Sequence, residues 1–427
     1  MPANPNRDIP KQADVVVIGG GIAGVCTAYE LAKRGVSVAL CEKGRIGGEQ
    51  SSRNWGYVRQ QGRDVAEIPL IIEATRRWKE LSEEIGEDVS YRQTGVIYIG
   101  DSEAEEKRFA DWIPHARDYQ IDSRQLTTKE IDELLPGGNT RWRCGLTTPS
   151  DGRAEPSIAP IKIGQAAERA GAAILTECAV RGIEKTAGKI SAVITEHGPI
   201  ATSAVVLAGG AWSTLFCRSI GIRLPQLTIH TSVMRSKSGP EFSEGAVWTP
   251  KFAVRKRLDG GFTISHGSHF KTELTADHFR FLRDFLPALR GEGPKPDLRV
   301  GSRFLNTLMT PGKWALDKTS PFERARVLDP EPYGPALETA KRELIATWPQ
   351  FEGIEIVEKW AGYIDVTPDA VPVIAPVASV PGFYLATGFS GHGFGIGPGA
   401  GRLAADLVTG GPTIVDPAPF NLERLAR

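Results

Sequence analysis

The segment that most constrains this chain is a glycine-spaced turn near its N-terminus, Ile18-Gly19-Gly20-Gly21-Ile22-Ala23-Gly24. The run Asp14-Val15-Val16-Val17-Ile18 before it is short, β-branched and uncharged after its first residue, the pattern of a buried parallel strand. Gly19, Gly21 and Gly24 hold the G-x-G-x-x-G spacing. The first glycine permits a tight turn, the second lets a pyrophosphate approach the backbone, and the third lets a helix pack close to the sheet. Residues 25–33 continue as that helix, and Gly35 ends it as a left-handed cap would. Residues 36–41 form the next strand, and Glu42 follows at its carboxyl end, where a carboxylate can accept from both ribose hydroxyls. Strand, helix, strand and acid in this order predict a dinucleotide site rather than a glycine turn in an ordinary βαβ unit.

At 427 residues the chain is long enough for about two domains. Its 51 Lys and Arg balance 51 Asp and Glu, so nothing in the charge points to nucleic acid. The five cysteines (Cys26, Cys41, Cys144, Cys178, Cys217) show neither a C-x-x-C pair nor a metal spacing, and such a scattered odd set fits a reducing compartment. No apolar run approaches the roughly 18 residues that a membrane-spanning helix needs. Residues 1–11 are polar and Pro-rich and read as a disordered tail, not a signal peptide. A cytoplasmic location is expected, with peripheral membrane contact left open.

Further along, residues 44–62 form a Gly-, Ser- and Arg-rich loop too long for a tight turn, and loops of this kind often carry ligands. The periodicity predicts helices over 68–85, 102–119, 156–170, 279–285 and 333–348. Strands are expected at 96–99, 173–175, 180–183, 190–195 and 204–208, with an antiparallel sheet over 227–268. The C-terminal part reads as a strand over 382–387, a glycine-rich turn over 388–401, and a helix over 402–407. The chain therefore begins and ends in strand–glycine–helix units. The expected fold class is α/β: a Rossmann-like nucleotide-binding domain built from discontinuous segments (12–88, 146–220 and 360–427), plus a mostly antiparallel-sheet substrate domain (89–145 and 221–359).

Four pieces in order resemble a known family. They are the 16–42 unit, Ser51-Ser52-Arg53-Asn54-Trp55-Gly56, the run from Val205 to Gly209-Gly210-Ala211-Trp212-Ser213, and a C-terminal group. That group comprises Trp360-Ala361-Gly362, Thr367-Pro368-Asp369-Ala370-Val371-Pro372 and Gly388-Phe389-Ser390-Gly391-His392-Gly393. The chain is similar over nearly its whole length to the FAD-dependent D-amino-acid-oxidase-like enzymes. These include glycine and sarcosine oxidases, D-amino-acid dehydrogenases and γ-glutamylputrescine oxidoreductase. The resemblance implies FAD as the dinucleotide and oxidation of a C–N bond to an imine that water hydrolyses.

By residue, the resemblance implies that Gly19, Gly21, Ile22, Ala23 and Gly24 face the pyrophosphate and that Glu42, with Lys43 beside it, holds the adenosine ribose. Ser51, Ser52, Arg53, Asn54 and Trp55 are placed beside the ribityl and flavin, Val180 at adenine, and Gly209 to Trp212 along the nucleotide half. Gly391, His392, Gly393, Phe394 and Gly395 are placed at the flavin pyrimidine edge, where N–H groups at a helix start stabilise charge that reduction leaves near N1 and the C2 oxygen.

Two departures from the family pattern matter. Members acting on simple α-amino acids commonly carry an Arg just after Trp-x-Gly that forks onto the substrate carboxylate. The matching stretch here is Tyr363-Ile364-Asp365. Either another Arg, with Arg303 or Arg53 as candidates, takes the carboxylate, or the substrate turns a cationic amine towards Asp365. No Cys follows Cys217, so cofactor attachment through a C-terminal Cys is absent and FAD is expected to be non-covalent. His392 is the candidate polar group at the flavin, and Tyr57 and Trp248 are candidates for an aromatic wall. His230, His266 and His269 read as structural. No protein base stands out, and a neutral amine can pass hydride to flavin N5 unaided.

The expected function is thus FAD-dependent oxidation of an amine or amino acid, N-substituted substrates included, with oxygen, a quinone or another electron carrier as acceptor; the missing arginine favours an amine or N-substituted substrate over a simple D-amino acid. A D-amino-acid dehydrogenase, a flavin-binding electron-transfer subunit and an NAD-dependent dehydrogenase are the alternatives.

Overall fold

The computed structural model describes residues 9–290 and 297–426. The expected tail over 1–11 lies for its first eight residues outside this range; Lys11 is within it, and its carbonyl accepts from Ala201 N at 2.9 Å. The nucleotide-binding sheet has six strands in the order Val373–Pro376, Phe383–Thr387, Ala204–Leu207, Val15–Ile18, Val38–Cys41, Ala173–Leu175. All its pairings are parallel except that of the edge strand Val373–Pro376. Each of its central strands is buried on both faces, which is why they read as unbroken apolar runs. Strands from residues 15, 38, 173, 204 and 383 meet in this one sheet, as the discontinuous-domain reading requires.

The second sheet is large and mostly antiparallel. Its central pair is Leu227–Ser236 against Ile356–Val366, and it extends through Ala246–Trp248 to Val96–Gly100 and Cys144–Thr148. Cys144–Thr148 and Ile356–Val366 both pair in this sheet, so the boundaries expected at 146 and 360 fall inside its strands. Backbone hydrogen bonding is continuous along those strands, and composition carries no mark of where a strand is shared between layers.

The largest difference from the sequence reading lies in 388–401. The turn ends at Gly391, and one helix spans Gly393–Thr409, with Pro398 inside it. Glycine disfavours helix by about 1 kcal/mol per residue, but here tertiary packing prevails. A Cβ on Gly397 would sit 2.5 Å from Ile22, and one on Gly401 would sit 2.4 Å from Cys26 and 2.7 Å from the Thr27 nitrogen. The glycines are the face along which this helix presses on the first helix, Ile22–Ala32, whose residues are all buried. The helix Ile68–Ile85 packs on the other side, and its Trp78 donates to the Gly395 carbonyl at 2.8 Å.

Candidate active site

One cavity of about 560 Å³ runs from the N-terminal glycine turn to the large sheet. It falls in the range of about 300–1,000 Å³ usual for cofactor and small-molecule sites. At one end lie Gly19, Gly21, Ile22, Ala23, Glu42 and Lys43. The turn is as tight as the spacing implies: Gly19 has φ +108°, and a Cβ on Gly24 would lie 1.9 Å from the Gly19 carbonyl oxygen. Gly24 thus closes the turn from behind and does not line the cavity. Ser51 Oγ accepts from Ile22 N at 2.8 Å, tying the loop after the second strand to the helix start.

Glu42 is the fixed acceptor at this end. Its two carboxylate oxygens accept from Gly20 N and Gly44 N, each at 2.7 Å. Burial raises its carboxyl above the ordinary range, and these two N–H groups pull the other way. An ionised carboxylate has about four acceptor sites, so lone pairs remain for a diol. Lys43 pairs with Glu49 at 2.9 Å and lies 4.4 Å from the Trp212 ring centre, while Trp212 Nε1 donates to Glu49 at 3.1 Å. Val180, Gly209 and Trp212 line the next stretch of wall.

Further in, Ser51, Arg53, Asn54 and Trp55 line the cavity, whereas Ser52 turns its hydroxyl to the Glu49 carbonyl at 3.3 Å. Arg53 is 9% exposed and spent on the protein: it donates to Asp329 at 2.7 Å, the Ala361 carbonyl at 2.8 Å and the Gly48 carbonyl at 3.3 Å. Asp365 borders the cavity, but its carboxylate accepts from Gln226 Nε2 at 2.7 Å and Gly388 N at 2.8 Å. Its carbonyl accepts from Ser390 N at 2.9 Å. Ser390 has φ +50°, a left-handed conformation costly for a residue other than glycine. Asp365 therefore holds the turn that leads into the C-terminal helix.

Gly391, His392, Gly393 and Phe394 line the cavity at that helix start; Gly395 sits behind them, bonded to Trp78. His392 is the cap residue, and its Nδ1 lies 2.8 Å from Glu67 Oε2. Tyr57 lines the cavity with its ring, and its hydroxyl donates to the Val247 carbonyl at 2.8 Å. Trp248 is on the same wall. Arg303 is not among the lining residues. Its guanidinium stacks 3.8 Å from the centre of the Tyr363 ring, which does line the cavity, and reaches Thr228 at 3.4 Å. His230 is buried against the Glu331 carbonyl at 3.0 Å, and His266 accepts from the Ser268 and His269 backbone, so both serve local structure. His269 stacks on Tyr333 at 5.4 Å.

On the far wall sequence reasoning named Trp248 but missed Tyr98, Arg59 and Arg108. Tyr98 and Trp248 pack with ring centres 5.0 Å apart. Arg59 lies 5.8 Å from the Tyr98 centre, and Arg108 4.7 Å from that of Trp248. Both arginines line the cavity, Arg59 half-buried and Arg108 exposed. Neither is ion-paired with a carboxylate among the described residues; Arg59 donates only to the nearby Gln61 carbonyl. The available signals were weak: Arg59 stands just past the two-residue strand Tyr57–Val58, and Arg108 stands four residues before Trp112 on a helix. Glu67 was also missed, since an acid opening a helix ordinarily reads as a charge complementing the dipole.

A glycine turn at a helix start, an acid after the second strand and a long cavity ending at a second helix start define a dinucleotide-binding oxidoreductase fold. The chain belongs to the FAD dependent oxidoreductase family, DAO, whose model matches residues 14–407. It is similar to the L-amino acid deaminase from Proteus myxofaciens solved with anthranilate: 34% identity, TM-score 0.95, 99% of this chain and 95% of that one covered. It is 25% identical to the glycine oxidase of Pseudomonas putida over 95% of this chain and 97% of that protein. It is 26% identical to the mitochondrial sarcosine dehydrogenase of Mus musculus over 99% of this chain; the match spans only 42% of that relative's length. FAD is the family's cofactor, and the residues at both ends of the cavity suit it: a cradle without side chains for a pyrophosphate, an oriented carboxylate for a ribose, and a helix start for a flavin edge. No helix among the described residues is long and apolar enough to cross a membrane.

Proposed function

We propose that this chain oxidises the C–N bond of an amino acid, N-substituted ones included, to an imine that water hydrolyses. Glu42 would hold the adenosine ribose, Gly19 and Gly21 the pyrophosphate, Val180 the adenine, and the Gly391–Phe394 turn the flavin pyrimidine edge. Bound FAD supplies the hydride acceptor. The observation that carries the substrate reading is that two guanidiniums, Arg59 and Arg108, lie on an aromatic wall of the same cavity with no carboxylate partner among the described residues. Arg59 is the residue proposed to take the substrate carboxylate in place of the arginine missing after Trp360-Ala361-Gly362. Tyr98 and Trp248 would receive an apolar or aromatic side chain. Asp365, already bonded to Gln226 and Gly388, is spent on the Ser390 turn, which weighs against a substrate defined by its amine alone. Relatives named for glycine, sarcosine and L-amino acids all use amines bearing a carboxylate, which agrees.

The test is anaerobic bleaching of the yellow protein by a panel of L- and D-amino acids, N-methyl amino acids and simple amines, followed by re-oxidation with air or a quinone. Bleaching by carboxylate-bearing amines is expected. Bleaching by simple amines alone would remove the role given to Arg59, and a flavin that no amine reduces would favour an electron-transfer subunit. The re-oxidation arm identifies the acceptor, oxygen or a quinone-type carrier. A cytoplasmic site of action is proposed with it, and fractionation of cell extracts checks that placement.

A further inference from the structure

Glu67 and His392 join the starts of two helices, Ile68–Ile85 and Gly393–Thr409. Glu67 is fully buried at the start of the helix Ile68–Ile85. Its Oε2 bonds His392 Nδ1 at 2.8 Å and lies 3.9 Å from Arg63 Nη1, while its Oε1 and Arg63 Nη1 are both buried without a hydrogen-bond partner. Arg63 is itself anchored by Nε to the Arg59 carbonyl at 3.0 Å. The charged groups facing the imidazole are therefore Glu67, Arg63 and Arg59, from the segment packed against the C-terminal helix. They give an anionic Glu67 and a neutral His392. Burial first, then Arg63, hold the imidazole below its ordinary value against the pull of Glu67. Burial opposes a charged Glu67, but the hydrogen bond from His392 Nδ1, with Arg63 and Arg59, holds its carboxyl below its own ordinary value. The carboxylate accepts from Nδ1–H, which fixes the tautomer and leaves the Nε2 lone pair free. His392 lines the cavity at the proposed flavin edge.

We propose that His392, positioned by Glu67, is the proton acceptor of the site. This rests on the amine-oxidation reading above. Oxidation of a bound ammonium, R₂CH–NH₃⁺, to R₂C=NH₂⁺ releases one hydride and one proton. The C–H bond breaks and its electron pair leaves with the hydride, which FAD accepts. An N–H bond breaks and its proton forms the Nε2–H bond of His392. The cavity then holds an imidazolium between the Glu67 carboxylate and the negative charge that the hydride brings, instead of two uncompensated charges of one sign.

The experiment is a redox titration of the FAD-loaded protein with dithionite, without substrate, following midpoint potential against pH. The slope counts protons taken up per electron pair. At about pH 8, above the ordinary imidazole value of about 6.5, two protons per two electrons are expected, one with the hydride equivalent and one on His392. His392→Gln should lower the count to one, and Glu67→Gln should lower it to an intermediate value at unchanged FAD content. A count of one in the unaltered protein, or of two in His392→Gln, overturns the proposal. If His392→Gln fails to fold, His392→Asn takes its place, because a count of two in the unaltered protein could also come from a second proton on the reduced flavin itself. Failure of the parent reading is distinguishable, because it appears as flavin that amines do not reduce whatever the proton count.

Discussion

Around Glu42 the cavity is walled by main chain and by charges that already have partners; around Tyr98 and Trp248 it is walled by rings and by two guanidiniums that have no carboxylate partner among the described residues. Gly19, Gly21 and Glu42 act through backbone shape and a carboxylate locked by two N–H groups. Arg59 and Arg108 lie over aromatic faces, where a cation keeps a modest attraction and stays available to an anion. The first end suits a ligand that does not change; the second suits one that must enter, react and leave.

Substitutions can break this contrast. The largest effect is expected from Gly24→Val, because its Cβ would lie 1.9 Å from the Gly19 oxygen and both atoms belong to tightly held backbone. Overpacking of this kind costs about 1–3 kcal/mol or more, so a protein with a lowered Tm and little bound flavin is expected; a normal flavin-to-protein absorbance ratio would show that the turn opens to admit the side chain. Glu42→Ala leaves the Gly20 and Gly44 N–H groups without their acceptor. At about 1–3 kcal/mol per buried group left unpaired, FAD affinity should drop ~10–100-fold, measured by titrating the apoprotein, with little effect on the turnover of protein kept saturated.

The opposite end should respond in the opposite way. Arg59→Met should leave FAD content intact while lowering kcat/KM for amino acids by ~10–100-fold, as for loss of a charged hydrogen bond of about 1.5–3 kcal/mol. Amines without a carboxylate should lose far less, and equal losses on both substrate classes would contradict the assignment.

A buried acid sets the loop that carries Arg59. Asp151 accepts from Gln60 N at 2.7 Å and Gln61 N at 3.2 Å, yet burial pushes its carboxyl up from 3.8 to about 6. A carboxyl raised by folding contributes most below its ordinary value, and that contribution is lost as pH rises through the folded one. Tm should therefore carry a component that declines between about pH 4 and pH 6, and Asp151→Asn should flatten it. The smallest effect is expected for Arg108→Ala. It is exposed at the mouth, so KM should change by no more than ~5-fold, within the ~1 kcal/mol usual for exposed charges, and the change should fade as salt is raised.

These two ends also differ in how openly the sequence displays them. The nucleotide end is written in contiguous residues, since strand, turn, helix, strand and acid follow one another from Val15 to Glu42. The helix Ile68–Ile85 is legible for the same reason, its apolar stripe being local. The aromatic wall is less so: Trp248 stands out alone, because Tyr98 and Arg108 join it only through pairing of Val96–Gly100 with Ala246–Trp248, a contact spanning some 150 residues of chain. Arg53 illustrates the reverse error of emphasis: a cation in a ligand-like loop draws attention, while its partners Asp329 and Ala361 lie far along the chain. The stretch 393–401 reads as a turn because its glycines answer to Ile22 and Cys26 across the helix interface, and nothing near them in sequence records that.

That glycine-faced helix has a consequence for how the molecule is made. The first helix leaves the ribosome well ahead of the surface that covers Ile22 and Cys26, which is encoded beyond residue 393. At roughly 5–20 residues per second, the nascent chain carries that apolar flank unshielded for on the order of 20–75 seconds. Until the last turns are synthesised the cradle for the cofactor lacks its backing, and the growing polypeptide presents a ready target for holding chaperones.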